Sequence, residues 1–196
     1  MRTASWYDDP GYIDSLWRGR VKLFSNGKPS EVVFRNEFLF ERLCGLRGYD
    51  YFINYGCGYG WLEDKIAGSF PSMQVVGIDK AEITRRNNET FSEPNLMFWD
   101  KCFEDVARLC SPKVIFCFCN VLHIFDISEV RRMFGLLAEY GCGVVLIWEP
   151  ANNCLVHNYP VLLKDAGFDV RSVERHDWKD TWIENHRPVF VEAHAS

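Results

Sequence analysis

The sequence predicts an α/β protein with three layers, in which helices cover both faces of a doubly wound, mostly parallel, seven-stranded sheet. Three observations carry this. From residue 51 onward, short apolar runs alternate with helix-length segments. The first run, Tyr51-Phe52-Ile53, opens into a turn with glycines at alternate positions, Gly56, Gly58 and Gly60. The second, Val75-Val76-Gly77-Ile78, ends on a carboxylate, Asp79. Strands joined by helix-length crossovers pair in parallel, and such a sheet needs helices on both faces.

Residues 1–30 read as irregular and aromatic, with Trp6, Tyr7, Tyr12 and Trp17. A turn spans Ser25 to Pro29. Ser30 has the chemistry of an N-cap for a helix that runs to about Cys44 and stops at Gly45. Residues 1–46 are expected either to cap the mouth of a site as a lid or to staple this helix to the body through their aromatics. Strand one is 51–55, followed by a helix at about 59–68. Strand two is 74–78, with a helix near 81–91. Pro94 ends that region, and Leu96-Met97-Phe98-Trp99 makes strand three. A short helix fits Cys102 to Cys110.

Lys113 to Cys119 is strand four, a continuous apolar run suited to a central parallel strand. Ser128 to Tyr140 is helical, with Ile127, Val130, Met133, Phe134 and Leu137 on one face. Val144 to Trp148 is strand five, His157 to Ala166 a helix, and Phe168 to Val173 strand six. A polar and aromatic loop over 174–186 leads to a last strand, Pro188 to Ala193. Without repeats or linkers, 1–196 reads as one domain.

Composition narrows the function. Apolar residues are 47% and charged residues 25%, an ordinary globular balance. The formal net charge is −5, and basic residues cluster no more densely than Arg18, Arg20, Lys22 or Arg85-Arg86, which disfavours a nucleic-acid partner. The eight cysteines form no C-x-x-C and no ligand pairs with the five histidines, so reduced thiols in the cytoplasm and no bound metal are expected. No apolar stretch reaches the length of a membrane span and no secretory h-region opens the chain. Aromatics reach 15%, enough to wall a pocket for a flat ligand as well as to fill a core.

The glycine turn is the chemical signature. Dinucleotide folds use G-x-G-x-x-G, whereas here the third glycine comes one residue early. Backbone without Cβ lets a ligand approach closely. Asp79, about twenty residues on, can accept both hydroxyls of a ribose. The spacing of Gly56, Gly58 and Gly60, the acid at Asp79 and the strand–helix alternation together resemble the class I, seven-stranded, Rossmann-like S-adenosylmethionine (SAM) methyltransferases, over about residues 48–194. In that family the last strand is antiparallel and inserted between the fifth and sixth.

The resemblance implies SAM as cofactor and a set of roles. Gly56, Cys57, Gly58 and Gly60 form the loop for its methionine end. Asp79, with Lys80 behind it, meets the ribose. Asp100 meets the adenine amino group, or else caps the next helix. Asn120-Val121-Leu122-His123 faces the transferred methyl. The family usually has an acid where Asn54 stands, so weaker SAM binding is expected, tightened by Asn54→Asp. His123 is the best candidate for a general base, with core filling or helix capping as its alternative. Glu149 is second, or else orients a backbone amide. His157 and His176 are weaker candidates.

Tyr7, Tyr12, Trp17, Arg18 and His123, with Trp178 and Trp182 of the late loop, are the residues expected at the acceptor. The resulting expectation is methyl transfer to O or N of a small-molecule acceptor. Other readings are a non-catalytic SAM-binding accessory subunit or sensor, and a protein or RNA methyltransferase. A nicotinamide oxidoreductase is disfavoured by the glycine spacing and by the lack of a Tyr-x-x-x-Lys pair.

Overall fold

The computed structural model describes residues 24–25, 28–29, 31–150, 157–176 and 188–196. Phe24–Ser25 and Lys28–Pro29 pair as a two-residue antiparallel ribbon. Helix α1, Glu31–Gly45, follows. The main sheet then begins with β1, Tyr51–Tyr55. Its other elements are α2 (Trp61–Ser69), β2 (Gln74–Ile78), α3 (Ala81–Thr90), β3 (Leu96–Trp99) and α4 (Phe103–Ala107). Next come β4 (Val114–Cys119), a single 3₁₀ turn at Leu122–Ile124, α5 (Ile127–Glu139) and β5 (Val144–Pro150). The chain closes with α6 (Tyr159–Asp165), β6 (Phe168–Arg175) and β7 (Pro188–Ala195).

Among the described residues the sheet holds seven strands in the order β3-β2-β1-β4-β5-β7-β6. The pairs among β1 to β5 are parallel. β7 lies antiparallel between β5 and β6, as the family resemblance implies. The central position of β4 explains its continuous apolar run, since all six of its residues are buried. Alternation along each strand sends side chains to opposite faces. Phe52, Val75, Ile115 and Leu146 meet Leu39 and Leu43 of α1 and Leu62 and Ile66 of α2. Ile53, Val76, Phe116 and Ile147 meet Phe103 of α4, Phe134 of α5 and Leu163 of α6.

Several boundaries differ from expectation for local reasons. α2 starts at Trp61, not at residue 59, because Gly60 has φ of 74° and serves as its N-cap. α5 starts at Ile127 because Asp126 and Glu129 form a reciprocal capping box. Ile127 then sits at the helix entry, 49% exposed, and leaves the apolar face to Val130, Met133, Phe134 and Leu137. Asn95 anchors the approach to β3, donating from Nδ2 to the carbonyls of Ala67, Phe70 and Met73. On the edge strand β3, Phe98 exchanges two hydrogen bonds with the Asn88 side chain. Its N–H donates to Oδ1 at 3.1 Å, and its carbonyl accepts from Nδ2 at 2.9 Å. α1 is fastened by Arg42 to Glu174, by Glu37 to Lys65, and by Phe38 against Trp148 and Phe190.

Candidate active site

In a doubly wound sheet the ligand crevice opens at the carboxyl ends of the strands, where the winding reverses. Here that point lies between β1 and β4. The chain leaves β1 outward to β2 and β3, then returns to β4 on the other side of β1. Residues 54–60 and 120–123 stand there, with Asp79 at the end of β2.

The turn after β1 is thin because three glycines take positive φ: 86° at Gly56, 55° at Gly58 and 74° at Gly60. A Cβ on Gly56 would lie 2.6 Å from Val121, and one on Gly60 2.6 Å from the Phe98 ring. At Gly58 a Cβ would meet nothing within 4 Å among the described residues. Four N–H groups of the turn are taken up within the protein. Gly56 and Cys57 donate to the Ile78 carbonyl at 2.8 and 3.0 Å, and Gly60 donates to the Cys57 carbonyl at 3.3 Å. Gly58 donates to Asp79 Oδ2 at 2.8 Å. From α3, Asn87 donates to the Gly58 carbonyl at 2.8 Å. Amides committed in this way make no nest for a phosphate.

What borders the turn is acid. Asp79 is half-buried, and its Oδ1 accepts the Lys80 N–H at 2.8 Å. Burial raises its pKa, opposed by those two N–H groups and the Lys80 charge. Glu63, in the first turn of α2, is fully buried and accepts from Asn54 Nδ2 at 2.5 Å. Burial pushes its carboxyl up to about 7, against the pull of the Asn54 hydrogen bond and of Arg35. Among the described residues, Glu63 Oε2 and Asn54 Oδ1 have no hydrogen-bond partner. Asn54 borders a small cleft together with Gly56, Cys57, Trp61, Cys119 and, from α1, Arg35. Burial raises the Cys57 thiol well above its ordinary range, which disfavours a reactive thiolate.

Across the switch point, Asn120 holds a left-handed backbone with φ of 55° and donates its N–H to Trp148 O at 2.8 Å. Glu149 lies fully buried behind the loop. Its Oε1 accepts the N–H groups of Val121 and Leu122 at 2.6 and 2.8 Å. Its Oε2 accepts the His123 N–H at 3.3 Å and stands 2.8 Å from His123 Nδ1. Both oxygens are occupied, so Glu149 orients the loop and has little room to take a substrate proton. A carboxylate on Nδ1 fixes that nitrogen as the donor and leaves Nε2 as the proton acceptor of the ring.

The other candidates are placed as follows. Lys80 is exposed and is the N-cap of α3. Asp100 is exposed just past β3, and the N-cap of α4 is Cys102, so the capping alternative for Asp100 falls away. His157 bonds the Phe125 carbonyl at 2.9 Å. His176 stacks on Trp148 at 5.0 Å and meets Phe38 edge-on, and burial lowers its pKa. Tyr7, Tyr12, Trp17, Arg18, Trp178 and Trp182 lie outside the described residues. Sequence reasoning missed Glu63 and Asn87. An acid in a first helical turn looks like an ordinary response to the helix dipole, and an Asn in a polar helix looks like surface.

No family model matches the chain, and no curated protein does. Solved structures do. The magnesium protoporphyrin IX methyltransferase of Synechocystis PCC 6803, with bound SAM, matches 98% of this chain over 94% of its own, with 16% identity and a TM-score of 0.67. A TehB-like SAM-dependent methyltransferase of Corynebacterium glutamicum matches 96% over 100%, with 10% identity and a TM-score of 0.71. The mitomycin 7-O-methyltransferase MmcR matches 97% over 59%, with 13% identity and a TM-score of 0.66. With β7 reversed between β5 and β6 and the glycine turn at the switch point, the chain has the seven-stranded fold of the class I SAM-dependent methyltransferases.

Proposed function

We propose that this protein is a SAM-dependent methyltransferase that acts on O or N of a small-molecule acceptor. The observation that carries the reading is the polarity of the glycine turn. Four of its amides are committed inward, and the buried carboxyl of Glu63 and the half-buried one of Asp79 stand on its flanks, so the site suits a cation and not a pyrophosphate. That separates SAM, which bears a sulfonium and an ammonium, from a dinucleotide. The residues fit: among the described residues nothing crowds Gly58, and Asn54 Oδ1 and Glu63 Oε2 are buried acceptors without hydrogen-bond partners.

Gly56 to Gly60 and Asn54 would hold the methionine end, Asp79 the ribose hydroxyls, and Asp100 the adenine amino group. The cofactor, when bound, supplies a methyl group already activated by positive sulfur. The protein's main task is then to place the acceptor in line, which is worth roughly 7–11 kcal/mol where the geometry is right. His123, with Nδ1 on Glu149, takes the acceptor's proton at Nε2. The same pairing favours an enzyme over a passive sensor, because a sensor has no use for an oriented imidazole. A small acceptor agrees with a net charge of −5 and with two structural neighbours whose names specify a magnesium porphyrin and mitomycin.

The test is a thermal melt with S-adenosylhomocysteine or SAM. At a hundredfold excess over Kd, binding stabilises by about 2.7 kcal/mol, roughly 5–10 °C for a chain of this size. No shift at millimolar ligand removes the reading. Once an acceptor is found by screening metabolite pools, His123→Gln should lower kcat about 10²–10⁴-fold while leaving the cofactor-dependent melt intact.

A further inference from the structure

Resting on that reading, we propose that Glu63 supplies the negative charge that receives the α-ammonium of SAM, with Asn54 as its neutral hydrogen-bond partner. Glu63 arrives from α2, nine residues after Asn54, and lies 2.5 Å from Asn54 Nδ2. Each side chain keeps one buried oxygen with no partner among the described residues, Glu63 Oε2 and Asn54 Oδ1. Both side chains are almost wholly withdrawn from water, at 0% and 2% exposure. Asn54 lines the cleft at the end of β1 and Glu63 stands directly behind it; two such buried acceptors short of donors are complementary to a group that is all donor and positively charged. An ammonium is that group.

The groups that face Glu63 set its titration. From β1 there is Asn54. Arg35 on α1 pulls its pKa down and Asp79 at the end of β2 pushes it up. The Cys57 and Cys117 thiols lie within its field and are themselves pushed up by burial and by Glu63. With the carboxyl poised near neutrality, an arriving ammonium draws off its proton, so binding strengthens as pH rises through that range. The consequence for residue 54 reverses the expectation from sequence. Asn54→Asp would set a second carboxylate against Glu63 at hydrogen-bond distance, where both cannot ionise. It therefore does not tighten binding.

The experiment is calorimetric titration of wild type, Glu63→Gln, Asn54→Asp and the double variant at pH 5.5 and pH 8. Two probes are used: S-adenosylhomocysteine, and 5′-methylthioadenosine, which has the nucleoside and thioether but no amino acid. Comparing proteins at one pH cancels the ligand's own titration. At pH 8, Glu63→Gln should weaken S-adenosylhomocysteine about 10–100-fold, the value of a charge-assisted hydrogen bond. At pH 5.5 the two proteins should bind it alike.

Methylthioadenosine should bind Glu63→Gln and wild type equally at both pH values. Asn54→Asp should bind S-adenosylhomocysteine no more tightly than wild type, and the exchanged pair Asn54→Asp/Glu63→Gln should recover most of the loss. Equal binding of S-adenosylhomocysteine by wild type and Glu63→Gln at pH 8 overturns the proposal but leaves the function reading standing. So does an equal loss for both probes, which marks a structural role. If wild type binds neither probe, the function reading falls and takes this proposal with it.

Discussion

Two buried glutamates stand behind the two loops of the switch point, and they are opposites. Glu149, behind the loop after β4, accepts three backbone N–H groups and faces the His123 ring nitrogen. Glu63, behind the turn after β1, accepts one side-chain N–H and leaves an oxygen unpaired among the described residues. Both are completely buried. Burial alone therefore does not distinguish a structural acid from a ligand-binding one; the count of donors does. Glu149, with its donors in place, belongs to the scaffold, and Glu63, left short, is held ready for something that arrives.

The contrast breaks most visibly at Glu149. Glu149→Ala strips partners from three backbone N–H groups and a ring nitrogen inside the protein. The loss should be about 3–5 kcal/mol, the usual cost of breaking a buried charged cluster, measured by urea unfolding. A loss below about 1 kcal/mol would show that Glu149 is not holding this loop.

The next effect has the opposite sign and depends on pH. Folded Glu63 holds its proton up to about 7, compared with 4.5 for the free side chain. The folded state therefore binds the proton more tightly than the unfolded one, and stability falls as pH rises between those values, then levels off. Glu63→Gln, which cannot ionise, should match wild type at pH 4.5 and exceed it by about 3 kcal/mol at pH 8 without ligand. Calorimetric melts at the two pH values check this; a variant less stable at both would mean that the ionised acid is already neutralised within the fold.

The smallest effect sets the baseline. Asp50 pairs with Lys113 at 3.0 Å with both side chains more than half exposed, and Asp50→Asn should cost less than about 1 kcal/mol at any pH. A larger cost would mean that solvent screens this surface less than assumed, and the two buried acids would need re-scaling.

Much of this was readable in the chain because strands advertise themselves. The residue ranges of β1, β2 and β3 match the apolar runs, each bounded by Gly, Pro or Asp. Parallel pairing followed from helix-length connections. The antiparallel placement of β7 did not follow from any residue pattern, since β7 alternates as either direction would; it came only from the resemblance. On the site, Gly56, Gly58, Gly60 and Asp79 were legible because backbone geometry demands glycine and a strand end demands attention to an acid. The Asn54–Glu63 pair was not. It exists because a positive-φ cap at Gly60 turns α2 back under β1, a contact that depends on how two elements pack and on no spacing within either. The Glu149 clasp escaped for the same reason: its donors are backbone amides 26 to 28 residues away.

The Asn88 amide bonded to both backbone groups of Phe98 has a consequence beyond β3. An open strand margin is a template on which another chain can polymerise, and that row of unpaired groups is how sheet proteins aggregate. Asn88 imitates a neighbouring peptide unit at this position and terminates the ladder there. Replacing it by an aliphatic residue would leave a sticky margin, so this amide works as insurance for solubility in a protein whose interior is otherwise rich in aromatic and β-branched strand formers.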